Sequence, residues 1–110
     1  MKGTITIGTK DVEMVANAAS PLIYRQIFKK DFIAETQKEP VEMTLFAEMG
    51  FIMKLQAEKP TAEVLRTPID EFYTWLEEFE PMDMFNATVE IGNFYTGQEV
   101  ALSVPKSEGD

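Results

Sequence analysis

The chain opens on two runs in which apolar and polar positions alternate. Ile5 and Ile7 alternate with Thr4 and Thr6, and Val12, Met14 and Ala16 alternate with Glu13 and Val15. Joined through Gly8-Thr9-Lys10-Asp11, these period-2 runs predict a β-hairpin. A lone hairpin is marginal in water, so it must pack on the rest of the chain or pair with a partner's strand.

From Ser20 the period lengthens to that of a helix. Ser20-Pro21 reads as an N-cap followed by proline at the first helical position, and Tyr24, Ile27 and Phe28 then fall at i, i+3, i+4 beside Ile23. Two readings stay open after that. Either the helix continues through Phe32 and Ile33, or Lys29-Lys30 ends it and Asp31 caps a second one; Glu39-Pro40 stops whichever is present. Over residues 41–58, Phe46, Met49, Gly50, Met53 and Ala57 form a helical stripe widened by Leu45 and Ile52. Gly50 there predicts close approach of a neighbouring helix. The methionines serve either as core filling, the commoner use, or as an adaptable binding groove.

Residues 59–66 read as a connector with room for one helical turn. Thr67-Pro68-Ile69-Asp70 repeats the cap, proline and acidic-turn signal, and Phe72, Trp75, Leu76 and Phe79 make the apolar face of the next helix. Pro81 breaks it, and Pro81 or Asp83 opens a last helix with Met84, Ala87, Ile91 and Phe94 on one face and Gly97 as its stop. Seven of the twelve aromatics lie between Thr67 and Tyr95, which marks that stretch as the expected structural centre. The expected fold is mainly α within the α+β class: a small N-terminal hairpin, then four to five helices in a compact bundle. The domain spans residues 3–97, with a flexible, disordered tail over 98–110.

Composition narrows the function. A chain of 110 residues is one domain by the usual prior, long enough to bury a core without disulfides or metal. A net charge of −9 argues against nucleic acid and anionic membrane as partners and leaves a basic protein segment plausible. With no cysteine and no histidine, there is neither a thiolate nor the commonest general base. The start, MKGTITIGTK, has no apolar leader and no apolar run approaches about 20 residues, so a cytoplasmic protein is expected.

Candidate chemistry is thin. Glu77, Glu78, Glu80 and Asp83 cluster near Pro81, but carboxylates crowded on a wet helix face lack the burial that splits an acid from a base, and they read as a solvated surface. Ser20, Ser103 and Ser107 have no histidine to activate them, no phosphate-binding glycine motif occurs, and Arg25, Lys29 and Lys30 read as a small solvated basic patch. The expectation is a non-enzyme without metal or cofactor.

Three blocks together resemble the tail assembly chaperones of long-tailed phages and prophages of Gram-positive bacteria. The first is Asn17-Ala18-Ala19-Ser20-Pro21 with Tyr24-Arg25-Gln26-Ile27-Phe28 and Asp31-Phe32. The second runs from Phe46-Ala47-Glu48-Met49 to Ile52-Met53 and Gln56-Ala57. The third is Phe72 to Phe79 with Glu80-Pro81-Met82-Asp83. The resemblance covers roughly residues 3–106 and departs from the family at Lys29-Lys30, where glycine is frequent. It implies a protein that binds the tape measure protein, keeps its apolar helices soluble, helps recruit tail tube subunits and is absent from the mature virion. It also implies a longer, frameshifted form that contacts the tail tube protein, and Val104-Pro105-Lys106 is compatible with slippery codons. The expected compartment is then the host bacterial cytoplasm, with a homo-oligomer open. Tyr24, Phe28, Met49, Met53 and Met82 are the expected partner-binding residues. The alternative is a small structural tail or head–tail joining protein of the virion.

Overall fold

The computed structural model describes the backbone of residues 1–103 and the side chains of residues 1–97. Strands β1 (Lys2–Ile7) and β2 (Lys10–Val15) pair antiparallel across a two-residue turn. Gly8 opens that turn at φ +65°, which two-residue hairpin loops need and which glycine adopts without steric cost. The register sets Gly3 opposite Met14 and Ile5 opposite Val12, so alternation places Ile5, Ile7 and Met14 on one face, all buried. That face lies on helices α3 (Thr44–Glu58) and α6 (Pro81–Ser103). The hairpin is therefore stabilised by packing on helices.

Helix α1 (Ser20–Phe28) begins where the sequence places it, but Ser20 is not its cap. Ala19 holds the cap position with no side-chain cap, and the turn before it is closed by Asn17 Oδ1 accepting from the Ala19 N–H at 2.9 Å and Ser20 Oγ accepting from the Asn17 N–H at 3.1 Å. Ser20 Oγ also donates to Gln56 Oε1 at 2.6 Å, and Gln56 Nε2 donates to Asn17 Oδ1 at 3.1 Å. A fully buried hydroxyl is thus satisfied, and the start of α1 is tied to α3.

Of the two readings open after Phe28, the break is the one observed. Lys29 ends α1 in the left-handed conformation (φ 61°, ψ 31°), its N–H donating to the Arg25 carbonyl at 2.9 Å. Asp31 Oδ1 accepts from the Ala34 N–H at 3.2 Å and caps α2 (Phe32–Thr36).

Helix α3, not the stretch from Thr67 to Tyr95, is the structural centre. Leu45, Ala47, Met49, Gly50, Phe51, Ile52, Met53 and Leu55 are all buried, so the helix is covered on every side rather than along one stripe. The hairpin, α1 and α6 supply the main cover. At Gly50 a Cβ would lie 2.7 Å from Cδ1 of the fully buried Ile91, so the Ile91 side chain of α6 fills space that only glycine leaves open.

The connector holds a single turn, α4 (Thr61–Val64). Thr67 turns its hydroxyl back to the Glu63 carbonyl at 3.3 Å instead of capping, and α5 (Asp70–Leu76) starts behind Ile69 with no side-chain cap. Phe72 and Trp75 point inward from it. Pro81 then opens α6, which continues through Gly97 rather than stopping there. Of the expected tail, residues 104–110 lie outside the described residues. The chain is mainly helical with an N-terminal hairpin. It has six helices among the described residues, the additional ones arising from the break at Lys29–Asp31 and the turn at Thr61–Val64. No helix of the described residues is long and apolar enough to cross a membrane.

Candidate partner-binding groove

Four of the five residues expected to grip a partner are spent in the core. Met49 and Met53 are fully buried on the central helix, and Phe28 sits edge-on to Phe72 with ring centroids 5.3 Å apart. Tyr24 is fully buried, stacked on Phe28 at 5.0 Å and edge-on to Phe32 at 5.3 Å. Only Met82 is at the surface, 63% exposed. The physical reason is the all-round cover of the middle of α3 and the inward face of α1, which turn Met49, Met53, Tyr24 and Phe28 away from solvent.

The buried phenol has one polar outlet. Tyr24 Oη donates to Glu48 Oε1 at 2.5 Å, and Lys30 Nζ reaches the same oxygen at 3.3 Å. Burial first, then the hydrogen bond to Glu48 and its negative charge, with a further push from Glu35, hold the phenol far above its ordinary value of 10.0. The folded protein therefore keeps this proton after the unfolded chain has released its own. The resulting stability is fully present below pH 10 and is lost as the pH climbs above it, by about 1.4 kcal/mol per pH unit. Urea melts at pH 9 to 11.5 should show this decline in the native protein and a shallower one in Tyr24→Phe. Equal slopes would mean that Tyr24 does not control it.

The surface offers a different set of apolar residues. Tyr73 on α5 and Met82, Phe85 and Val89 on α6 are each at least half exposed. The last three recur at i, i+3, i+7, one stripe of a helix whose opposite face, around Ala87 and Ile91, is buried. Helix α6 thus carries apolar residues on two faces, and the hairpin and α3 cover only one. Between α5, α6 and the start of α3 runs a groove of about 420 Å³. Ala47, Phe72, Leu76, Met84 and Thr88 line it, with Tyr73 and Phe85 as its most exposed apolar side chains. The one buried hydroxyl in this lining is satisfied, Thr88 Oγ1 donating to the Phe85 carbonyl at 2.6 Å.

Charge is distributed as unevenly as apolar surface. Between Arg66 and Lys106 there is no Lys or Arg, while eight Asp and Glu occur; residues 1–66 hold nine of each sign. Eight of the nine surplus negative charges therefore belong to the part of the chain that forms α5, the Pro81 elbow and α6. Glu77 and Glu80, which flank the lining residues Leu76 and Pro81 in sequence, are exposed and in no ion pair. Glu78 is the exception nearby, paired with Lys10 of the hairpin at 3.0 Å. Among the described residues no group of three carboxylates is placed to hold a metal ion.

Residue type alone pointed to the methionines; position would have pointed elsewhere. The i, i+3, i+7 spacing of Met82, Phe85 and Val89, on a helix already supplied with an inward stripe, is a sequence signal for an uncovered second face on α6, from which Phe85 reaches the groove, and the run of 39 residues without a cation marks the same part of the chain. No family model, curated protein or solved structure matches the chain.

Proposed function

We propose that this protein is a tail assembly chaperone of a long-tailed phage or prophage of a Gram-positive bacterium. It binds the tape measure protein, keeps it soluble and helps recruit tail tube subunits in the host cytoplasm, without entering the mature virion. The observation that carries this reading is an exposed apolar groove on a small, strongly acidic protein. That combination suits a soluble escort for apolar helices, since the groove covers apolar side chains and the surplus charge keeps the complex dispersed. The three sequence blocks supply the specific family. At the first block's departure from that family, Lys29 adopts the left-handed conformation that glycine favours, which is compatible with glycine being frequent there.

Co-expression tests the proposal. The cognate tape measure protein should be insoluble alone and soluble in complex with this chain, and purified virions should lack the chain. A tape measure protein whose solubility is unchanged would reject the chaperone role. Stoichiometric presence of the chain in virions would favour a structural tail or head–tail joining protein instead.

A further inference from the structure

We infer that the groove between α5, α6 and the start of α3 receives an amphipathic helix that carries Lys or Arg beside its apolar stripe. This names the chemistry of the segment bound under the proposed function and rests on that reading. Three observations lead to it.

The first is the backbone of the walls. All three are helices, so the groove presents no strand edge to which an extended segment could add. An occupant must satisfy its own backbone and offer side chains, as a helix does. The second is length. The α6 side of the groove is formed by Pro81, Met84, Phe85 and Thr88, at i, i+3, i+4 and i+7, about 10 Å or two turns, which matches anchors at i, i+3 or i+4, and i+7 on the incoming helix. The third is charge. Glu77 and Glu80, next in sequence to the lining residues Leu76 and Pro81, are exposed, and the segments forming α5 and α6 contribute no cation to answer them. A second copy of this chain would bring the same carboxylates against them, and like charges there oppose self-association. Cations on the flanks of the incoming helix would instead meet unpaired carboxylates.

Binding of two labelled peptides of about 18 residues, five helical turns, to the full chain tests this. Both carry Leu at i, i+3, i+4 and i+7; one has Lys at the flanking positions and the other Glu. The Lys peptide should bind at least about tenfold tighter at low salt, with the preference shrinking as salt rises. Phe85→Ser should weaken it by about tenfold or more, while Leu22→Ser, on the exposed side of α1 away from the groove, should leave it unchanged. Because Phe85 is half exposed, the Ser variant should stay folded; the Glu77→Lys, Glu80→Lys double variant, which touches no core residue, gives an independent readout and should reverse the preference toward the Glu peptide.

Equal binding of the two peptides, indifference to Phe85→Ser, or an unreversed preference would each overturn the inference. So would concentration-dependent dimers that Phe85→Ser dissolves in a protein that takes neither peptide, since the occupant would then be a second copy. The two readings fail separately. Lys-peptide binding without capture of the tape measure protein rejects the chaperone role and keeps the groove's chemistry. Capture that survives both groove variants does the reverse.

Discussion

Met53→Asp yields no folded protein. Met53 is fully buried on the central helix, beside the buried Ile52 and Leu55. Burying an unpaired charge costs several kcal/mol even after relaxation, and escape by protonation costs the shift needed to keep an acid neutral at pH 7 as well as the packing of the lost thioether. Against a total stability of about 5–15 kcal/mol for domains of this kind, that loss removes most or all of the margin. Circular dichroism and the emission of Trp75, the single tryptophan, should both report an unfolded or aggregated chain at 25 °C. Met82→Asp is the matched control. Met82 is 63% exposed, so its variant should melt within about 0.5 kcal/mol of the native protein. A folded Met53→Asp that merely loses partner binding would contradict the burial described above.

Phe51→Ala should fold but with about 3–5 kcal/mol less stability. Phe51 is 1% exposed on α3, and its ring joins the two aromatics that α5 turns inward, with centroids 5.5 Å from Phe72 and 5.8 Å from Trp75. Removing it leaves a cavity where α5 meets the centre of the molecule. A short helix with no side-chain cap has little else to hold it, so α5 should loosen first. The expected signature is a lower urea midpoint together with a red-shifted Trp75 emission before the main transition. A loss below about 1 kcal/mol would show that the site collapses around the deletion, and a single coincident transition would show that α5 does not open on its own.

How much of this was legible in the sequence depends on whether a signal was local. The hairpin was, because strict alternation places Ile5, Ile7 and Met14 on one face whatever they pack against. The elbow was also legible, because Pro81 acts on its own backbone. The caps were not. Ser20 and Thr67 carry the right side chains, yet Ser20 answers Gln56, 36 residues away, and Thr67 turns back to Glu63. The centre is not marked by aromatic density, which favours Thr67 to Tyr95, but by continuity of apolar positions: from Leu45 to Leu55 nearly every residue is apolar, as an all-round buried helix requires. The groove falls between these cases. The second apolar stripe on α6, from which Phe85 reaches it, is present in the sequence, but which of two apolar faces stays uncovered depends on the hairpin and α3 taking the other.

The meeting of Gly50 with Ile91 also sets an order of events during synthesis. The surface of the central helix around Gly50 is sealed by a residue 41 positions later, on the last helix of the described chain. Until that helix has been made, the hairpin and the first five helices form a fragment with an apolar flank open to water, and this is the interval in which a nascent chain is most prone to aggregate. Completion of the fold is therefore a late, long-range closure in which the final helix shuts a core assembled by everything before it.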